Sequence, residues 1–303
     1  MASFLFGAAK LAFFQSQFTF RSTNFGIVPV ESTPSTGATN YGAITGIATA
    51  VGGGTLVKPL LDIGGSNTNR VFDDTANNRV ALRFAPIDWG ALSTTNAAPI
   101  TGFVVVNSTN PSTSSIPVFY IELVDALGDP QPFTPNGVDF LTINLTENPV
   151  GVREYGGNVF NHYLREWING NRSPGSTTFS LIYCESAPDP TWSTVANITG
   201  RATLPAGGEL RSLLTDIGNS SSNRAAWVGG VVNGTAGYRF ETVLLPDFAT
   251  QSQANVTHYI LAEGNPPQSW NNIASWGLIN PALVATGVND YRLNMIAGST
   301  LTL

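Results

Sequence analysis

Apolar and polar positions along this chain follow two rhythms. Short runs rich in Val, Ile, Phe and Tyr, separated by clusters of Gly, Asn, Pro and Ser, predict β-strands over residues 24–31, 79–85, 102–107, 118–124 and 139–145. The same pattern returns over 177–185, 238–245, 257–262 and 291–296. A helical rhythm appears twice, over 4–15 and 158–169. In the second of these, Val159, Phe160, Tyr163, Leu164, Trp167 and Ile168 recur three and four residues apart, and Gly170-Asn171 supplies a stop. Short strands between turn clusters, each set preceded by one helix, predict a mainly β chain of antiparallel sandwich or barrel-like domains.

The order helix, strand, turns, strands occurs twice because the sequence itself does. Displaced by 154 residues, positions 31–70 match 185–224 at 18 of 40 positions without a gap, several times what chance gives at this composition. Ile44-Thr45-Gly46 meets Ile198-Thr199-Gly200, and Gly53-Gly54 meets Gly207-Gly208. Phe6 meets Phe160 and Phe25 meets Phe179; after a two-residue insertion, Arg83-Phe84 meets Arg239-Phe240. The reading is a tandem duplication, with a first copy over 1–150 and a second over 151–303. A period this long makes two domains rather than a solenoid, and about 150 residues is enough to bury a core without staples.

Composition narrows the function classes. Only 11% of residues are charged, against about 25% in typical soluble proteins. Gly, Pro, Ser, Thr and Asn take the place of the missing charge and offer turns and hydrogen-bonding surfaces that are cheap to bury against a partner. A net charge of -6 opposes nucleic-acid binding. No apolar stretch reaches the about eighteen residues of a membrane span, and the N-terminus is a poor signal peptide, so a protein that is not secreted and meets no membrane is expected. The single cysteine excludes an internal disulfide.

No G-x-S-x-G elbow, H-E-x-x-H pair or phosphate-cradling loop occurs, and no cofactor or metal is expected. Cys184 takes the place of Val30 in a strand and reads as a small buried residue rather than a nucleophile. His162 falls opposite Ala8 and His258 opposite Gly102, neither in a metal-spaced cluster. Gly52-Gly53-Gly54 reads as a turn. The most distinctive element is Asp-Ile-Gly-x-Ser-x-x-Asn-Arg, present as Asp62, Gly64, Asn69 and Arg70 and again as Asp216, Gly218, Asn223 and Arg224. Asp and Ser satisfy loop amides, Gly permits positive φ, and Arg clamps a carboxylate or carbonyls, which makes a loop buttress; a repeated contact point for a partner is the functional alternative.

Over about the first 125 residues the chain resembles structural proteins of tailed-bacteriophage particles, the capsid cement or decoration proteins of cyanophage type above all. The opening Phe4-Leu5-Phe6-Gly7-Ala8 helix, the Asp88-Trp89 element, the strand Gly102-Phe-Val-Val-Val106 and the strand Val118-Phe-Tyr-Ile-Glu122 carry the likeness. Asp247-Phe248 replaces Asp88-Trp89 only loosely in the second copy. The resemblance implies a non-enzymatic component of the capsid exterior, made in the host cytoplasm and bound to the major capsid protein. A homotrimer placing six similar domains around a local threefold is expected, with a dimer on a twofold as its rival. A tail, neck, baseplate or receptor-binding part is the alternative, and a particle-borne glycan-degrading enzyme a further one.

Overall fold

The computed structural model describes residues 3–125, 127–147, 149–154, 158–227, 236–245, 249–250, 255–284, 291–295 and 301–302. The chain divides into two compact units after Glu154, four residues beyond the 150/151 boundary read from the repeat. It is mainly β, and among the described residues every ladder between strands is antiparallel.

The first unit runs β1 (Ser3–Leu5), α1 (Gly7–Phe14), β2 (Gly26–Val30), β3 (Lys58–Pro59), β4 (Val71–Asp74), β5 (Arg79–Leu82), β6 (Ile87–Ala91), β7 (Gly102–Val106), β8 (Pro117–Glu122), β9 (Phe140–Ile143) and β10 (Val150–Glu154). Its sheets have the orders β1-β8-β7-β2-β3, β10-β5-β4 and β6-β9. β2 and β7 lie inside the five-stranded sheet and are buried along their whole length, which is why both read as unbroken apolar runs rather than alternating ones. A cluster of rings fills the core: Phe13, Phe18, Phe25 and Phe119 all lie within 6.3 Å of a neighbouring ring, with Phe20 between them.

The second unit runs α2 (Asn161–Ile168), β11 (Phe179–Cys184), β12 (Arg211–Leu213), β13 (Ala225–Trp227), β14 (Ala236–Tyr238), β15 (Val243–Leu245), β16 (Val256–Glu263), β17 (Ile273–Leu283), β18 (Tyr291–Leu293) and β19 (Leu301–Thr302). Its sheets are β12-β11-β16-β17, β13-β14-β19 and β15-β18. Under the displacement of the repeat, β12-β11-β16-β17 stands where β3-β2-β7-β8 stands in the first unit. The bridge Val159–Ser275 stands for the pairing of Leu5 with Phe119.

Three expectations need correction. Residues 4–6 do not open a helix: Ser3–Leu5 pair with β8, and the helix begins only at Gly7. An apolar run this short satisfies either period, and here the sheet edge claims it. Likewise α2 begins at Asn161 rather than 158, because Val159 is bridged to Ser275. The strand expected over 238–245 is two strands in different sheets, β14 and β15. Between them the backbone changes partner at each residue: Arg239 N–H donates to Arg224, Phe240 to Met295 and Glu241 to Thr215. The same handover, from Arg83 to Ala85, ends β5 at Leu82. Ile296 and the Asp247-Phe248 pair lie outside the described residues.

Candidate functional site

The repeated Asp–Arg motif folds into one arrangement in both units. After Asp62 the chain makes two 3-10 turns, Ile63–Gly65 and Asn67–Asn69; after Asp216 it makes Ile217–Asn219 and Ser221–Asn223. The first turn needs left-handed backbone, with φ 67° at Gly64 and 64° at Gly218. The next position is left-handed as well, and there Gly65 is matched by Asn219, the side chain that best tolerates it after glycine. This compact path returns the arginine to the aspartate eight residues back. Arg70 Nε and Nη2 donate to the two Asp62 carboxylate oxygens at 2.7 and 3.0 Å, and Arg224 does so to Asp216 at 2.7 and 2.9 Å.

The third nitrogen ties the motif to a distant part of its own unit. Arg70 Nη1 donates to the Phe20 and Thr23 carbonyls, at 3.0 and 2.7 Å. Arg224 Nη1 donates to the carbonyls of Pro174 and Thr177, the corresponding residues 154 positions on. Each guanidinium is also held between rings: Phe25 and Phe84 for Arg70, Phe179 and Phe240 for Arg224, with centroids 5.1–5.6 Å away. Asn69 and Asn223 brace the loop by donating to the carbonyls of Ile63 and Ile217. Both arginines are buried, and four of the five N–H groups of each are engaged inside the protein. What the motif shows to solvent is its two turns: Gly64, Gly65 and Asn67 to Asn69 in the first unit, Gly218, Asn219 and Ser221 to Asn223 in the second.

The other singled-out residues are dispersed. Cys184 is buried at the end of β11, and burial pushes its thiol up to about 12, so it is held protonated. It lies directly across the ladder from His258, a neighbour the chain order does not reveal. Burial lowers the pKa of that imidazole, and its Nδ1 shares a 2.8 Å hydrogen bond with the Thr257 hydroxyl. His162 lies half-buried on α2. Gly52, Gly53 and Gly54 form an exposed turn with φ between 87° and 108°. Among the described residues no three His, Cys, Asp or Glu side chains gather as a metal site.

Two features went unread in the sequence. Glu263, at the end of β16, is a buried carboxylate. One oxygen accepts from the Tyr163 hydroxyl at 3.1 Å; the other accepts from Asn272 at 3.0 Å and Arg172 at 3.4 Å. Burial, then the neighbouring carboxylate, drives the Tyr163 phenol well above its ordinary pKa. The matching residue of the first unit is Asn107, and the only signal was an acid closing the apolar run of β16. The second feature is an open groove of about 360 Å³ beside β9, floored by Leu123, Val124, Phe133 and Phe140. The Pro135-Asn136-Gly137 turn that shapes its rim is legible as a turn but not as a wall.

The chain matches no family model, and no curated protein or solved structure matches it either. Among the described residues no helix is long and apolar enough to cross a membrane.

Proposed function

We propose that this chain is a non-enzymatic structural protein of a virus particle, decorating and cementing the outer surface of a tailed-phage capsid by bridging copies of the major capsid protein. The observation that carries this reading is the recurrence of one rigid frame in both units, down to the same buried arginine, aspartate, carbonyls and ring pair. A shell of identical subunits repeats each contact, and a chain with two units of one build can engage two such contacts at once. Linking them raises the effective concentration for the second contact to the millimolar range, so two weak contacts become a firm hold. The charge-poor surface serves the same end, since hydroxyls and amides are covered at far lower cost than ions. No nucleic acid or cofactor enters this role.

The test joins two measurements on the full chain: molar mass by light scattering, and co-sedimentation with bare, expanded capsids. The expected result is a homotrimer of 32.0 kDa chains that binds saturably and raises the temperature at which the capsids rupture. A dimer that does the same moves the bridge from a threefold to a twofold. A closed ring of five or six chains that ignores capsids overturns the reading in favour of a tail or neck part.

A further inference from the structure

The groove beside β9 is built rather than incidental. Its wall is fixed by the Asn136 side chain, whose Oδ1 accepts from the Val138 and Asp139 amides, both at 2.9 Å. The Asn136 Nδ2 donates to one Asp139 carboxylate oxygen at 2.7 Å. The turn is pinned again where the Gly137 amide donates to the Leu92 carbonyl at 2.9 Å. On the other side, Phe133 and Ile100 exchange two backbone hydrogen bonds of 2.9 and 2.7 Å, and the Gln131 amide donates to the Leu123 carbonyl. A site held this way loses little conformational freedom when it is filled.

Its lining combines an apolar floor with exposed polar groups at the rim. Leu123, Val124 and Phe133 are half-buried, while the Phe140 ring is 67% exposed. Gln131, Thr134 and Asp139 stand at the rim, exposed, with no Lys or Arg among the lining residues. Three considerations select the ligand. A rim with a carboxylate and no cation, on a chain of net charge -6, repels phosphates, sulfates and acidic sugars. Of its two Phe residues only Phe140 is exposed while Phe133 is half-buried, and one exposed ring with one carboxylate falls short of the aromatic cage that captures an organic cation. A volume of about 360 Å³ sits at the small end of the roughly 300–1,000 Å³ spanned by small-molecule sites. A neutral ligand that is apolar on one face and rich in hydroxyls at its edge meets all three. The negative face of the Phe140 ring attracts the weakly positive C–H groups of a sugar ring. An amide, a hydroxyl and a carboxylate supply both donors and acceptors for its hydroxyls.

We propose that this groove is a weak binding site for one or two rings of a neutral saccharide, with Phe140 as the stacking platform and Asp139, Gln131 and Thr134 as the hydroxyl contacts. The inference stands apart from the capsid role: either can fail without the other.

Saturation-transfer NMR on the full chain tests it, with methyl glucoside, methyl galactoside, methyl mannoside and N-acetylglucosamine as separate probes at millimolar concentration. The expected result is transfer to the ring protons of at least one probe. Phe140→Ala abolishes it, Asp139→Asn weakens it by about tenfold, and Trp270→Ala, an exposed aromatic of the other unit, leaves it unchanged. Phe140 is a surface residue, so its variant keeps the fold, which circular dichroism checks. The proposal is overturned if no probe shows transfer, or if transfer survives Phe140→Ala, or if it disappears with Trp270→Ala instead.

Discussion

Gly46 and Gly200 show how much of the repeat is backbone requirement. Both are left-handed, at φ 71° and 64°, and a Cβ on either meets the hydroxyl oxygen of Ser32 or Ser186. Gly46→Ala is expected to cost about 1–3 kcal/mol, measured as a shift of the urea midpoint. Adding Ser32→Ala relieves the contact but leaves about 1–2 kcal/mol from the left-handed backbone alone. Cys184 gives a second residue-scale prediction. Its thiol titrates higher in the folded chain than in the unfolded one, so its contribution is whole below pH 9 and is lost as pH rises toward about 12. Cys184→Val, the residue at position 30, is expected to flatten part of that alkaline decline, and thiol reagents at neutral pH are expected to label the chain only after denaturation. The repeat made the clamp's Asp and Arg legible. The carbonyls of Phe20, Thr23, Pro174 and Thr177 were not, because no residue type marks an accepting carbonyl.

Elements with one unambiguous period were legible: β2, β7, β11 and β16 fall within a residue or two of their expected spans. The longest strand, β17, was missed, because Gly277 and Pro281 break its sequence pattern as they would a turn. Position in the sheet overrides that local signal, with His258 paired to Leu278 and Val256 to Leu283 on either side of an irregular stretch. The loop between β16 and β17 places Asn272 against Glu263, so the network depends on a strand the sequence pattern hides. Glu263→Gln puts an amide donor among three donors and is expected to destabilise the second unit by about 1–3 kcal/mol. Calorimetry of the variant against the parent chain checks this.

Each clamp closes within its own unit, and this sets how the whole molecule should unfold. Asp62→Asn leaves a buried guanidinium without its counter-charge, at about 3–5 kcal/mol. The expected outcome is a calorimetric trace with an early transition for the first unit and an unmoved one for the second; Asp216→Asn is expected to give the converse. One merged transition displaced as a whole would refute such independence. At the clamp, corresponding positions keep the same chemistry; at several surface positions they do not. Lys58 is matched by Ser212, Leu61 by Thr215, Ser114 by an exposed Trp270 and Glu122 by an exposed Leu278. The frame therefore behaves as a chassis: anchored from within by an arginine that turns four of its five N–H groups inward, it leaves each outer skin free to be rewritten. Two faces of unlike character can then be carried into one assembly in a fixed ratio of one to one, a stoichiometry that separate chains would have to reach by chance encounter.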